Sequence, residues 1–388
     1  MIEMNLPQKI TLVVHIGQNI AEGRGLPKFV MNLFRFMPRD RFDLILVQSE
    51  WCDYKRTSDN DPFYTFDDRD TVLTYRDRST KVNFMMKNKH LSALMYIVVK
   101  PILIRIDATL LPSGIKSQIR KADVVYLTSN YYAPYGKYCK TIVGSCHTFF
   151  VSRGLLEKLH GALVKIGLIY RFPVVHAFPG FEKYFNKKKS LVVSLPPPFD
   201  ASRYRPQVTE RDGKIRVLFV SSLDRGKGTD IVIEVSKLLD HGSYEMHIVG
   251  RGPMEAEVRR AVNSSLIYHG ALDEAELSKL YSLCDIFLYP TKGETYGIVV
   301  IEALSSGLLV VASDALKGTF DLYERSGFLR YCQNKANSLA NQIRELSTKL
   351  PTYEEKTRMH QVVFENNDGS IVVGKLAETL YEYVISHR

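Results

Sequence analysis

Glu294 and Glu302 stand with seven residues between them in the run Gly293-Glu-Thr-Tyr-Gly-Ile-Val-Val-Ile-Glu-Ala-Leu-Ser-Ser-Gly307. An ionised carboxylate accepts hydrogen bonds and donates none, so it suits a ligand rich in paired hydroxyls, such as a sugar or a ribose. Glu302 is flanked by Ile301, Ala303 and Leu304. A charged carboxylate in that setting is costly unless it is paired or hydrogen-bonded. Two surface glutamates, one of them on a solvated helix face, are the plain alternative.

Cations and glycines lie upstream. Val217-Leu-Phe-Val-Ser-Ser-Leu-Asp-Arg-Gly-Lys-Gly-Thr-Asp230 reads as a strand, a loop and a helix start, with Arg225, Lys227, Gly226 and Gly228 in the loop. Mobile glycines, cations and a helix N-terminus together make a phosphate site. The spacing is not that of a Walker A loop, and an ordinary surface loop has the same composition. His247-Ile-Val-Gly-Arg-Gly-Pro253 is a second strand that ends in a glycine turn, where Gly250 and Gly252 permit close approach of a ligand to backbone. Nearer the N-terminus, Gly23 and Gly25 can present amides to a diphosphate. His147, just past a strand end, can bond a substrate hydroxyl or stabilise charge, though a lone histidine is more often structural.

These residues need a framework that gathers strand ends. Lys9–His15 and Phe42–Val47 read as buried strands around an amphipathic helix at Leu26–Phe36, a β-loop-α-β unit. Ala122–Leu127, Lys140–Gly144, Val174–Phe178 and Leu191–Ser194 continue the sheet. Pro196-Pro-Pro198 interrupts the pattern, and a polar linker follows to residue 213. Strands are then expected at Ile215–Val220, Met246–Val249, Leu266–Tyr268, Asp285–Tyr289 and Leu308–Ala312. Helices at Thr229–Leu239, Met254–Asn263, Glu274–Leu283 and Ile298–Ser306 alternate with them. A final helix from Gly369 carries Leu376, Leu380, Tyr381, Val384 and Ile385 on one stripe. The expected fold class is α/β: two Rossmann-like doubly wound domains facing across a cleft, spanning 1–198 and 199–368, with a C-terminal helix at 369–388. Glu294 then falls in a loop at the carboxyl end of a strand, where open α/β sheets bind ligands, and Glu302 falls within the helix that follows.

The whole chain sets the outer bounds. Its 388 residues exceed one ordinary core. Its formal net charge of +10 suits a phosphate-bearing partner without choosing among a nucleotide, a nucleic acid and an anionic membrane. Five cysteines (52, 139, 146, 284 and 332) form no C-x-x-C pair, so reduced thiols in a cytosolic setting are expected, with no disulfide framework and no metal site. No leader layout opens the chain, and no apolar run reaches spanning length. Residues 79–121 mix apolar and aromatic residues with Lys87, Lys89, Lys116, Arg120 and Lys121. That mixture suits an anionic membrane surface or a lipid acceptor, and equally a pair of ordinary helices with basic faces. Lys187-Lys-Lys189 reads as a solvated loop. No nucleic-acid motif is present.

The residues from about 215 to 320 resemble the family-4 retaining glycosyltransferases of glycosyl transferases group 1, which have the GT-B fold, and the likeness extends over nearly the whole chain. The glutamate run resembles the family's Glu-x7-Glu signature, Lys227-Gly228 its Lys-Gly phosphate motif, and Gly250-Arg-Gly-Pro253 its Gly-x-Gly-Pro turn. Asp285-Ile-Phe-Leu-Tyr-Pro290 resembles the strand that leads into the signature. The resemblance implies transfer of a hexose from a UDP- or GDP-sugar to a glycan or lipid-linked acceptor. It implies no cofactor and no metal, and a place in the cytoplasm or peripherally on the cytosolic membrane face. Lys227 would bind the donor phosphates, and Glu294 with the amides of Thr295, Tyr296 and Gly297 would hold the transferred sugar. Glu302 would take the ribose hydroxyls, Gly25 would face the diphosphate, and His147 would stand near donor sugar and acceptor. The last helix would return to the first domain. The family's phosphate-binding arginine is here Ser222, and Arg225 is the expected substitute. The first glycine of the N-terminal pair is Arg24, and the family's Asn-Gly-Val-Asp linker is here Pro197-Pro-Phe-Asp200. A soluble disaccharide or polysaccharide synthase, or a non-catalytic nucleotide-sugar-binding protein, would share most of these features.

Overall fold

The computed structural model describes residues 9–16, 26–50, 67–76, 111–128, 138–145, 172–182, 185, 187–208 and 212–388. The chain divides into two compact units, Met1–Pro198 with Val372–Arg388, and Phe199–Ile371.

In the first unit the elements run β1 (Ile10–Ile16), α1 (Leu26–Phe36), β2 (Phe42–Glu50), β3 (Thr71–Arg76), α2 (Ser113–Lys121), β4 (Val124–Leu127), β5 (Thr141–Ser145), β6 (Val174–Ala177) and β7 (Leu191–Ser194). The described strands form one sheet in the order β3-β2-β1-β4-β5-β6-β7, paired in parallel throughout. Parallel strands covered on both faces are apolar without alternation. Accordingly Ile10, Leu12, Val13, Val14 and Ile16 of β1 are fully buried. Strand β3 lies at the sheet edge and mixes Thr71, Thr74 and Arg76 with its apolar residues, leaving Val72 exposed. It therefore carries no apolar run, and the sequence reading passes over it.

Helix α1 seats Phe29 against the rings of Tyr126, His176 and Phe178. The His176 ring is fully buried, with Nδ1 2.7 Å from the Tyr126 hydroxyl and Nε2 3.0 Å from the Leu195 carbonyl oxygen. A carbonyl can only accept, so Nε2 carries the proton and Nδ1 accepts from Tyr126. The C-terminal helix, Gly369–Ser386, buries Val372, Val373, Leu376, Ala377, Leu380 and Val384. Ile385, expected on the buried stripe, is exposed. Arg41 reaches Glu378 and covers the ring of Tyr381, and Arg388 pairs with Asp123 at 2.7 Å.

In the second unit the order is β8 (Ile215–Val220), α3 (Thr229–Leu238), β9 (Tyr244–Val249), α4 (Glu255–Ala261), β10 (Leu266–Gly270), α5 (Glu274–Leu283), β11 (Ile286–Tyr289), α6 (Ile298–Ser305), β12 (Leu309–Ser313), α7 (Asp321–Arg325), β13 (Leu329–Cys332), α8 (Ala336–Ser347) and α9 (Tyr353–Asn367). Its parallel sheet has the order β10-β9-β8-β11-β12-β13. Successive strands step outward from β8 on one side and from β11 on the other. The sheet's topological switch point is therefore the β8/β11 pair, where doubly wound sheets open a crevice. Edge strand β13 and helices α8 and α9 are additions to the sequence reading, since Leu-Arg-Tyr-Cys has no strand-like pattern of its own. Among the described residues no helix is long and apolar enough to cross a membrane.

Candidate functional site

The two loops that leave the switch point are pressed together by what glycine lacks. Gly228 has φ of 79°, and a Cβ on it would collide with the carbonyl oxygen of Pro290. Glycine is therefore required on both counts. The Lys292 amide donates to the Gly226 carbonyl at 2.8 Å, and Asn334 Nδ2 donates to the Pro290 carbonyl at 2.9 Å. Within the first loop, Asp224 accepts from the Lys227 amide at 3.0 Å and from the Ser222 hydroxyl at 2.7 Å. The loop is thus shaped before any ligand arrives.

This closure brings Lys227 onto Glu294. The ammonium pairs with Glu294 Oε2, and the two side chains remain 26% and 21% exposed. The Tyr289 hydroxyl donates to the same oxygen at 2.8 Å, and the Thr295 amide donates to Oε1 at 2.9 Å. Burial, reinforced by the nearby carboxylate charge, pushes the Tyr289 pKa well above its ordinary value, so its hydroxyl keeps its proton and remains a donor. A carboxylate has about four acceptor positions and an ammonium three donors. The pair therefore has capacity for a ligand that brings hydroxyls to Glu294 and anionic oxygens to Lys227.

Glu302 is 2% exposed on α6, which excludes the solvated-face alternative for this residue. Its Oε2 accepts from the Tyr281 hydroxyl at 3.1 Å. Burial, with the Glu302 charge, raises the Tyr281 pKa and holds that hydroxyl in its donor form. The hydrogen bond that the apolar flanks of Glu302 demanded is supplied from α5.

Other expected residues take different places. Tyr296 turns its ring into the core, 6% exposed, against Phe320. This leaves its backbone, not its side chain, available to a ligand. Gly250 and Gly252 accommodate a neighbouring loop: Cβ atoms there would strike the backbone of Ser221 and Leu223. Leu223 in turn bonds Arg251 and Met254 through its own amide and carbonyl. The close approach expected of a ligand is made here by the chain itself. Arg225 is 75% exposed and lies 3.6 Å from Asp230, which Lys292 reaches from the other loop at 3.4 Å. Gly297 caps α6 with φ of 83°. Gly25, His147 and residues 79–110 lie outside the described residues, as do Cys52 and Cys146.

Sequence reasoning missed Tyr289, Tyr281 and Lys292. Buried tyrosine hydroxyls need partners, which is a usable signal, but the partner's identity is not in the local sequence. Cys139 and Cys284 are buried free thiols, and burial raises the pKa of each. Among the described residues no group of three or more His, Cys, Asp or Glu is placed to hold a metal. Lys187, Lys188 and Lys189 line an open hollow of about 500 Å³ with Pro173 and Tyr383 in the first unit.

Known proteins share parts of this chain. Residues 214–349 match the family described as glycosyl transferases group 1. The chain is 31% identical over 101 residues to an uncharacterized 41.2 kDa protein in the cps region of Klebsiella pneumoniae, covering 26% of this chain and 28% of that protein. It is 36% identical over 104 residues to a GDP-mannose-dependent alpha-mannosyltransferase of Mycobacterium tuberculosis, covering 27% and 26%. These matches thus span little more than a quarter of each relative's length. The solved structure of Anabaena Alr3699/HepE in complex with UDP superimposes with a TM-score of 0.67 over 97% of this chain and 100% of that one, at 16% identity. At that identity the likeness concerns the fold, which is GT-B.

Proposed function

With residues 214–349 belonging to glycosyl transferases group 1, we propose that the chain is a retaining glycosyltransferase. It moves a hexose from a nucleotide-diphospho-sugar to a hydroxyl of a glycan or lipid-linked acceptor. The observation that carries this reading is the Lys227–Glu294 pair at the switch point, a cation and a hydroxyl-accepting carboxylate brought together from two loops. The Mycobacterium relative, named for GDP-mannose, and the Anabaena structure, which holds UDP, favour GDP- and UDP-sugars as donors.

In this reaction the bond from the sugar's anomeric carbon to the diphosphate breaks, and a bond to the acceptor oxygen forms on the same face. The acceptor proton passes to the leaving phosphate. Lys227 balances the charge that grows on the diphosphate. Glu294 orients the sugar hydroxyls with help from the 295–297 backbone, and Glu302 takes the ribose; the roles that the resemblance implies for Gly25 and His147 fall outside the described residues. Preorganised charges and dipoles of this kind supply most of the rate enhancement in many enzymes. Arg225, three residues after Ser222, and Lys292, which shares Asp230 with it, are the candidates to replace the arginine that Ser222 lacks.

The test is a thermal-shift screen with UDP, GDP, ADP and their sugar conjugates on the chain and on Lys227→Ala. Ligand binding to the folded state raises its apparent stability. Stabilisation by one nucleotide family, lost in the variant, is expected. No stabilisation by any of them would end the reading.

The exposed Arg120 and Lys121 of α2 suit an acceptor at an anionic membrane face, and its buried Ile115 and Ile119 equally fit an ordinary helix with a basic face. Flotation with anionic liposomes, repeated after neutralising Lys87, Lys89, Lys116 and Arg120, tests the membrane-face acceptor. Equal flotation of both proteins would favour a soluble glycan acceptor. Ser222 also favours a binding protein without turnover. Donor hydrolysis by the unsubstituted chain that is absent in Glu294→Ala would exclude that alternative.

A further inference from the structure

Tyr296 sits inside the loop that carries Glu294, yet its side chain points away from the ligand side. Its hydroxyl accepts from Asn367 Nδ2 at 2.8 Å, and the other end of that amide, Oδ1, accepts from the Tyr323 hydroxyl. Tyr296, Asn367 and Tyr323 are 6%, 2% and 3% exposed, so the chain of bonds runs wholly within the unit. A buried asparagine with both ends occupied is held in one orientation, because any rotation leaves a buried polar atom unpaired.

Asn367 is the last residue of α9, and the next two residues give the chain of bonds a destination. Asp368 forms a parallel bridge with Phe199, and the Gly369 amide donates to the Phe199 carbonyl at 2.6 Å. Asp368 Oδ2 accepts from the Ala201 amide at 3.1 Å, and Oδ1 accepts from the Ser370 amide at 2.9 Å. Phe199 is the first residue of the second unit, and Ile371 is its last. The two passages of the chain between units are therefore tied to each other, and the residue next to that tie holds the loop of Glu294.

We propose that Asn367, fixed by Tyr323, is a positioning residue for the sugar side of the site. It holds the 294–297 backbone through Tyr296 and links that backbone to the paired chain crossing at Phe199 and Asp368. The inference rests on the reading of Glu294 as holder of the transferred sugar, and it adds the part that keeps this loop in register. Helix α9 is suited to the task because it also bonds α6, through His360 Nδ1 and the Ser305 hydroxyl at 3.0 Å. Both ends of the segment from Glu294 to Ser305 are thereby fastened to one helix.

The test uses the full chain with Tyr296→Phe, which keeps the ring against Phe320 and removes the hydroxyl, and with Asn367→Leu. Hydrogen exchange is first read without ligand. Amides of residues 293–298 should exchange about fivefold faster in both variants, as loss of one ordinary hydrogen bond from the opening equilibrium predicts. With donor present, turnover should fall about tenfold, the scale of a small misplacement at a reacting centre, while affinity for the bare nucleotide stays unchanged. Exchange equal to that of the unsubstituted chain in both variants overturns the proposal. So does a loss of nucleotide affinity in step with turnover, which would make these bonds a general structural tie. Because exchange is read without donor, it decides the linkage even if no sugar nucleotide binds. That failure would fall on the functional reading alone.

Discussion

Glu294 receives an ammonium, a phenol and an amide, and their different sources make separable predictions. Lys227→Ala removes the cation and should weaken nucleotide binding about 10- to 100-fold, the scale of a charge-assisted hydrogen bond, measured by calorimetry. Glu294→Gln keeps the shape, but one of its two acceptor oxygens becomes a donor. Nucleotide affinity should persist while turnover falls by roughly two to three orders of magnitude, as when a preorganised polar group is lost. Arg225→Ala should weaken nucleotide binding if Arg225 stands in for the cation missing at Ser222. Unchanged affinity, together with a loss in Lys292→Ala, would assign that task to Lys292. Both bonded glutamates and Lys227 were legible from spacing and flanking residues. Tyr289, Tyr281 and Asn367 were not, because each belongs to a different element, and adjacency across elements is not written in a local run.

At the scale of elements, the loops of the second unit are shaped by contact with each other. Gly250 has φ of 137° and no room for a Cβ against the Ser221 carbonyl, whereas Gly270 has φ of 72° and open space around it. Gly250→Ala should cost roughly 3 kcal/mol or more, since it adds a backbone collision to conformational strain. Gly270→Ala should cost about 1 kcal/mol, from conformation alone. Urea unfolding ranks them, and equal costs would refute the role assigned to loop contact. The buried strands were legible because parallel strands covered on both faces carry unbroken apolar runs. Edge strands β3 and β13 were hidden by the same logic: half-exposed strands dilute that signal with polar residues. The two glycine turns were found, and the neighbouring loop that each one admits was not, since a turn that admits a ligand and one that admits a neighbouring loop have the same composition.

At the scale of the molecule, each unit carries a histidine that burial holds neutral. His176 in the first unit and His247 in the second are both lowered to about 4, His247 with a further push from His269. The folded pKa lies below the ordinary value near 6.5, so the unfolded chain takes up the proton first as pH falls. Stability should be fully present above about pH 6.5, and should fall from there to about pH 4. For His176 the loss can reach about 3 kcal/mol, an order-of-magnitude ceiling from the shift. Thermal unfolding at pH 7 and pH 4.5 should show a smaller acid loss in His176→Gln, whose amide can serve the same two neutral partners. An equal loss would place the acid sensitivity elsewhere. By itself the sequence determined the α/β class, the parallel sheets and the loops that carry Lys227 and Glu294. Burial and strand-end placement follow from the apolar periodicity of short segments, which the chain states locally. The tertiary structure alone decided that Lys227 meets Glu294, that Glu302 is buried beneath Tyr281, and that Asn367 reaches Tyr296. Those pairings depend on where sheet order and helix packing bring distant segments, and no local pattern records that distance.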